Sequence, residues 1–317
     1  MTHSQPGTSP IFFVHIPKTA GTSLRVAAEY WFGNDAVEKN YGADSPDTTP
    51  LVREWILDSC NYPVFYKEIC AAGRKFYTGH IKAFPAATVF PILRIATILR
   101  NPFEQAVSHY NHCARHHGYA DSFDRFVLTR GNQQVYPLRG VPIQMLGFVG
   151  ITERYAESLN LFNQIFGANL THLNANVNSQ KKLQAPDAHI RRIVEKYYPL
   201  DIRLYHAMNQ ALAQRHTLNA AGKPWCHGAI RMRQADGVSG YACWAEDDAP
   251  VKLLLRQGDA TIAETLAVHP ESFFGGVLLP RAGKIGFRFE TKNIADTSRL
   301  RVVVASTGQL LDDELLF

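Results

Sequence analysis

The sequence has no hydrophobic run long enough for a membrane span. Its most apolar stretches, residues 11–14 and 275–280, fall far below the about 18–20 residues such a span needs. The run over residues 89–99 is broken by Pro91 and Arg94. The start, MTHSQPGTSP, has no basic segment followed by an apolar one, so no secretory signal is legible. Cysteine is scarce. The five residues Cys60, Cys70, Cys113, Cys226 and Cys243 are odd in number and form no CxxC pair, which argues against a disulfide framework and for reduced thiols in a cytoplasmic protein. Surplus charge is small as well: 33 Lys+Arg against 28 Asp+Glu leaves +5. That balance permits an anionic partner but excludes the polybasic coat of a nucleic-acid binder. There is no repeat of fixed period and no low-complexity tract.

What is present suits a globular protein. The 317 residues are 46% hydrophobic and 19% charged, enough to build a sizeable core in about two domains at roughly 100–200 residues each. Ile11-Phe12-Phe13-Val14-His15 reads as a buried strand. It meets Pro17 and the turn Lys18-Thr19-Ala20-Gly21, after which Thr22-Ser23 open a helix through Leu24, Ala27, Ala28 and Trp31. A second strand is expected over residues 94–99, followed by a helix from Pro102 to about His117, with helical patterns at 152–166 and 187–215. Strands alternating with helices imply an α/β fold with a largely parallel sheet. After Gly222-Lys223-Pro224 the period changes to two, and short strands are expected at 238–246, 251–256, 261–268, 284–290 and 300–305. The chain therefore divides into residues 10–222 and a C-terminal all-β, sandwich-like domain, 223–317.

The segment Phe12-Phe13-Val14-His15-Ile16-Pro17-Lys18-Thr19-Ala20-Gly21-Thr22-Ser23-Leu24 carries the chemistry. A strand turning tightly into a helix presents free backbone N–H groups and the positive helix end, a ready anion site. Gly21 admits close approach of a phosphate, Thr22 and Ser23 offer hydroxyls, and Lys18 adds a full charge. The order differs from a Walker A loop, where Lys follows the last Gly; here Lys18 precedes Gly21. The segment resembles the 5′-phosphosulfate loop of sulfotransferases that use 3′-phosphoadenosine 5′-phosphosulfate (PAPS). Its Ile16–Ser23 variant looks like the branch of heparan sulfate 2-O-sulfotransferase and its bacterial carbohydrate-modifying relatives. Residues 96–110, ATILRNPFEQAVSHY, are similar to the family's 3′-phosphate motif. Residues 150–159, GITERYAESL, together with 173–178 and 200–205, also look like family segments.

The resemblance covers about residues 10–215 and implies a P-loop-like parallel sheet flanked by helices. It implies that Lys18, Thr19, Ala20, Gly21, Thr22 and Ser23 hold the 5′ side of PAPS and that Arg100 and Ser108 hold its 3′-phosphate. Arg offers a planar, permanently charged fork for phosphate oxygens, and Ser a neutral donor. Lys18 would stabilise the leaving adenosine 3′,5′-bisphosphate. His80, in Tyr77-Thr78-Gly79-His80-Ile81-Lys82, resembles the branch's catalytic base, and an imidazole near pKa 6.5 suits that task. No metal is expected, because PAPS is already activated. The expected acceptor is a carbohydrate hydroxyl.

Plainer readings stand beside these. Lys18 and Thr22 could merely cap a helix, Arg100 could be a surface residue, and His80 could be one of thirteen histidines placed by chance. His109, His112, His116 and His117 share a helix face that either lines the cleft or ligates a metal. Lys82 either meets an acidic acceptor or is solvated, and Asn174, Asn176 and Asn178 either read adenine or form a loop. Glu153 and Arg154 either orient the acceptor or form a charged helix face. Residues 238–245, VSGYACWA, loosely resemble a β-sandwich module found beside glycan-modifying transferases. Its Trp244 and Phe287 read as core aromatics, with stacking on sugar as the rival. Two other function classes remain: a catalytically silent glycan-binding protein, and an atypical nucleotide kinase needing ATP and Mg²⁺.

Overall fold

The computed structural model describes residues 9–172, 187–272, 274–291, 299–315 and 317. The strands β1 (Ile11–Val14), β2 (Val37–Asn40), β3 (Phe76–Gly79), β4 (Ile95–Leu99) and β5 (Phe148–Ile151) form one sheet in the order β2-β3-β1-β4-β5. Every pairing in it is parallel. β1 and β4 are buried along their whole length, which explains why both read as continuous apolar runs. β2, β3 and β5 carry polar or glycine residues and were not legible as strands. In β2, Glu38 is buried and ion-paired to Arg74 at 2.9 Å.

The sheet is flanked by helices: α1 (Gly21–Phe32), the single turn α2 (Pro50–Val52), α3 (Tyr62–Ala71), the single turn α4 (Ala83–Ala86), α5 (Pro102–His116), α6 (Phe123–Arg130), α7 (Tyr155–Phe166), α8 (Ala188–Tyr197) and α9 (Pro199–Ala220). α1 buries Gly21, Leu24, Ala27 and Ala28, the stripe expected of an amphipathic helix. The single helix expected over 187–215 is two, α8 and α9. Pro199 lacks the N–H needed to continue the first and disfavours a helical Tyr198, which sits at φ −120°.

Beyond Gly222 the described residues form antiparallel β-sheets. Antiparallel strands β6 (Cys226–Gln234), β7 (Gly237–Trp244), β10 (His269–Pro270) and β11 (Lys284–Glu290) form a sheet ordered β10-β11-β7-β6. Strands β8 (Lys252–Gln257), β9 (Ala260–Leu266), β12 (Leu300–Val304) and β13 (Leu310–Leu311) form the other, ordered β13-β12-β8-β9. Inward residues alternate along the strands: Leu253 and Leu255, Phe287 and Phe289, Val302 and Val304 close one apolar core. β6 was missed because Gly228 and its arginines blur the alternation. Phe287 is buried and Trp244 half-buried in that core, and Tyr241 is buried beneath the Arg231 guanidinium at 5.2 Å, so none forms an exposed sugar platform. Ala229, Tyr241, Cys243 and Leu315 also join the core of the α/β part. Among the described residues no helix is long and apolar enough to cross a membrane.

Candidate active site

In an open parallel sheet, ligands gather at the carboxyl ends of the strands, where the strand order reverses. Here that point is β1, which has β3 on one side and β4 on the other. The residues leaving the carboxyl ends are His15 and the 15–20 loop after β1, His80 after β3, Arg100 after β4, Tyr41 after β2 and Thr152 after β5. The sheet thus brings residues far apart in sequence to one edge.

The loop is held in an unusual shape. Lys18 and Ala20 have left-handed φ of 66° and 68°, which costs a non-glycine residue roughly 1–2 kcal/mol. Its carbonyls are gripped from three elements. Gln105 Nε2 in α5 donates to Pro17 O at 3.0 Å, Arg100 Nη1 to Lys18 O at 3.2 Å, and Thr152 Oγ1 to Thr19 O at 3.0 Å. The Thr19 hydroxyl is buried and donates to Ile16 O at 2.9 Å, so what it can offer a ligand is its backbone. α1 then begins at Gly21 without a side-chain cap, leaving the amide end of the helix beside Thr22 and Ser23 open to an anion. Gly21 is required by close packing: a Cβ there would lie 2.8 Å from His15 Cγ.

Positive charge converges on this loop. The Lys18 ammonium has no carboxylate partner among the described residues; burial first, then the charges of Arg100 and Arg115, push its pKa down. Arg100 Nε is buried without a hydrogen-bond partner among the described residues, and its Nη2 lies 3.9 Å from Glu104. On α5, Ser108 and His112 are half-buried and Arg115 is exposed. Burial, followed by Lys18 and the neighbouring histidines, lowers His112 to about 4. His109 is buried against Gln133 Oε1 at 2.5 Å and lowered to about 4, mainly by burial. His116 and His117 pack on His112, with ring centroids 4.8 and 5.3 Å away. Among the described residues no cluster of His, Cys, Asp and Glu is arranged to hold a metal.

His80 belongs to a cluster of three rings. Its centroid lies 4.6 Å from His15 and 5.0 Å from Tyr41, edge to face in both cases, and His15 Nδ1 shares a 2.9 Å hydrogen bond with the Tyr41 hydroxyl. Burial, with charge from His80, Arg25 and Lys18, lowers His15 to about 3, so it is neutral. Burial of one face also lowers His80, although the residue itself is solvent-accessible. Burial raises the Tyr41 phenol to about 12. Lys82, two residues on, is exposed and sits 4.6 Å over the Tyr136 ring.

Several residues singled out in the sequence are braces. Glu153 accepts from Asn101 N at 2.9 Å and Tyr205 hydroxyl at 3.2 Å, and Arg154 pairs with Glu157. Asp201, fully buried, accepts from the amides of Gln134 and Val135, and Gln134 in turn bonds both the N–H and the C=O of Arg100. Burial raises Asp201 to about 6 against the pull of those amides. His15, Gln105 and Asp201 lie in segments whose sequence resembles the family, but no role was legible for them; Tyr41 and Gln134 lie outside those segments and were missed. Asn174, Asn176 and Asn178 lie outside the described residues.

No protein-family model matches the chain, and no curated protein matches it. Among solved structures it is similar to a sulfotransferase from Alicyclobacillus acidocaldarius, at 14% identity and a TM-score of 0.34, over 63% of this chain and 95% of that one.

Proposed function

We propose that the protein is a PAPS-dependent sulfotransferase acting on a carbohydrate hydroxyl, with residues 10–222 as the transferase domain and 223–317 as an accessory domain. One observation carries the reading: Lys18 and the buried Nε of Arg100, both without a partner among the described residues, and the uncapped amide end of α1 sit at one sheet edge beside an accessible neutral His80. Such a site suits a phosphate-bearing anion. In this reading the 5′-phosphosulfate lies on Lys18, Thr19, Ala20, Gly21, Thr22 and Ser23, and the 3′-phosphate on Arg100 and Ser108.

The chemistry follows from charge and position. His80 accepts the proton of the acceptor hydroxyl as its oxygen bonds to sulfur. The bond from sulfur to the bridging phosphate oxygen breaks in line, and its electron pair stays on the departing adenosine 3′,5′-bisphosphate. Lys18 stabilises that growing negative charge, so positioning and electrostatics supply most of the acceleration. His15 and Tyr41 pack edge to face on the His80 ring, and burial lowers the pKa of His80.

The deciding experiment is a thermal shift with adenosine 3′,5′-bisphosphate compared with ATP plus Mg²⁺, followed by transfer from labelled PAPS to a sugar array. Lys18→Ala should lose both the bisphosphate shift and turnover; His80→Ala should keep the shift and lose at least about 100-fold in rate. A larger shift with ATP would favour a kinase, and bisphosphate binding without any transfer would favour a silent binder.

A further inference from the structure

A cavity of about 70 Å³ lies where α9 and β5 meet the C-terminal sheets. It adjoins Phe148 and Val149 at the amino end of β5, so it lies at the opposite end of the parallel sheet from the loop at residues 15–20. Its volume is several times the roughly 10–15 Å³ that one water needs. Leu161 and Met208 join Phe148 in an apolar wall.

Into that wall is set a cation. Arg215 is 8% exposed, donates from Nη1 to Gly147 O at 2.8 Å and faces the Trp225 ring at 5.5 Å. Among the described residues no carboxylate lies within ion-pair distance of it. Glu246 acts on it only at longer range, and burial still pushes the guanidinium down to about 9. Asp312 and Asp313 both line the cavity; Arg233 takes Asp313 at 2.8 Å, and Asp312 is open to solvent. His227, 2% exposed, donates from Nδ1 to Gln144 O at 3.2 Å and is held neutral, so it adds no second charge. A buried charge without a counter-ion is costly, and an anion that brings its own apolar body would relieve both the charge and the void.

We propose that this cavity is a binding site for a small organic anion, a carboxylate on a short aliphatic or aromatic body, held by the Arg215 guanidinium between the α/β part and the C-terminal sheets. The anion end lies on Arg215 beside Trp225, and the body lies against Phe148, Leu161 and Met208. Because the lining comes from both parts of the chain, occupancy stabilises their junction by mass action. The site is independent of the transferase reading.

The test titrates butyrate and benzoate, with butyramide and benzamide as uncharged matches, into the full chain, following melting temperature and tryptophan fluorescence. The expected result is a saturable rise in melting temperature with the carboxylates and none with the amides. Arg215→Met should weaken binding about 10- to 100-fold, the loss expected for a charged hydrogen bond. Ala211→Phe, which fills the cavity while keeping Arg215, should abolish binding with the far-ultraviolet dichroism intact, and it keeps the test decisive if Arg215→Met fails to fold. Equal shifts with amides, no saturable shift, or wild-type affinity in either folded variant would overturn the proposal.

Discussion

The buried histidines make acid the perturbation that weighs most on this fold. His15, His109 and His227 are 5%, 9% and 2% exposed, and burial depresses them to about 3, about 4 and about 3. In the unfolded chain each titrates near 6.5, so between pH 6.5 and the folded values the unfolded state binds more protons and stability falls as pH falls. At pH 5 each such group withdraws about 2 kcal/mol relative to pH 8, about 6 kcal/mol for the three. Asp201 acts in the opposite direction. Its folded value, about 6, lies above its unfolded 3.8, so acidification to pH 5 returns about 1 kcal/mol. The net loss of about 5 kcal/mol is comparable with the whole stability of a typical domain. Urea denaturation at pH 8, 7, 6 and 5 should show this decline, steepest between pH 6.5 and 5. His227→Gln, remote from the sheet edge, should remove about two-fifths of the net decline, about 2 of about 5 kcal/mol. A midpoint constant from pH 8 to pH 5, or a His227→Gln slope equal to wild type, would refute the reasoning.

Other consequences concern the sheet edge. Gly21→Ala should destabilise the fold by about 1–3 kcal/mol through overlap with the His15 ring and erase the bisphosphate thermal shift; the double variant with His15→Ala should regain part of the stability. Tyr41→Phe should leave bisphosphate affinity within about twofold and slow turnover about tenfold, since the lost hydrogen bond to His15 loosens the ring cluster around His80. Asp201→Asn should make the decline between pH 6 and 5 steeper by about 1 kcal/mol, because the group that opposes it is gone, in the same denaturation series.

By itself the sequence determined the elements whose signal is local. β1 and β4 are buried on both faces and therefore read as apolar runs. The helix after Asn101-Pro102 carries its own capping chemistry, and the C-terminal strands keep a period of two; Thr22 and Ser23, which read as caps, instead lie inside α1, whose N-cap is Ala20 with no side-chain cap. The resemblance of these same segments to PAPS-binding loops also depended on contiguous residues. Tertiary structure decided the rest. β2 carries Glu38, whose burial is tolerated only because Arg74, distant in sequence, neutralises it. His15, Tyr41 and His80 become one cluster only because parallel pairing aligns the ends of β1, β2 and β3. Asp201 reaches Arg100 through Gln134, a path across a hundred residues of chain that no spacing encodes. The cavity at Arg215 exists only because α9 is covered by residues from beyond Gly222. Periodicity and turn chemistry report what a residue does to its neighbours in sequence, whereas a buried charge or a ring cluster is fixed by its neighbours in space.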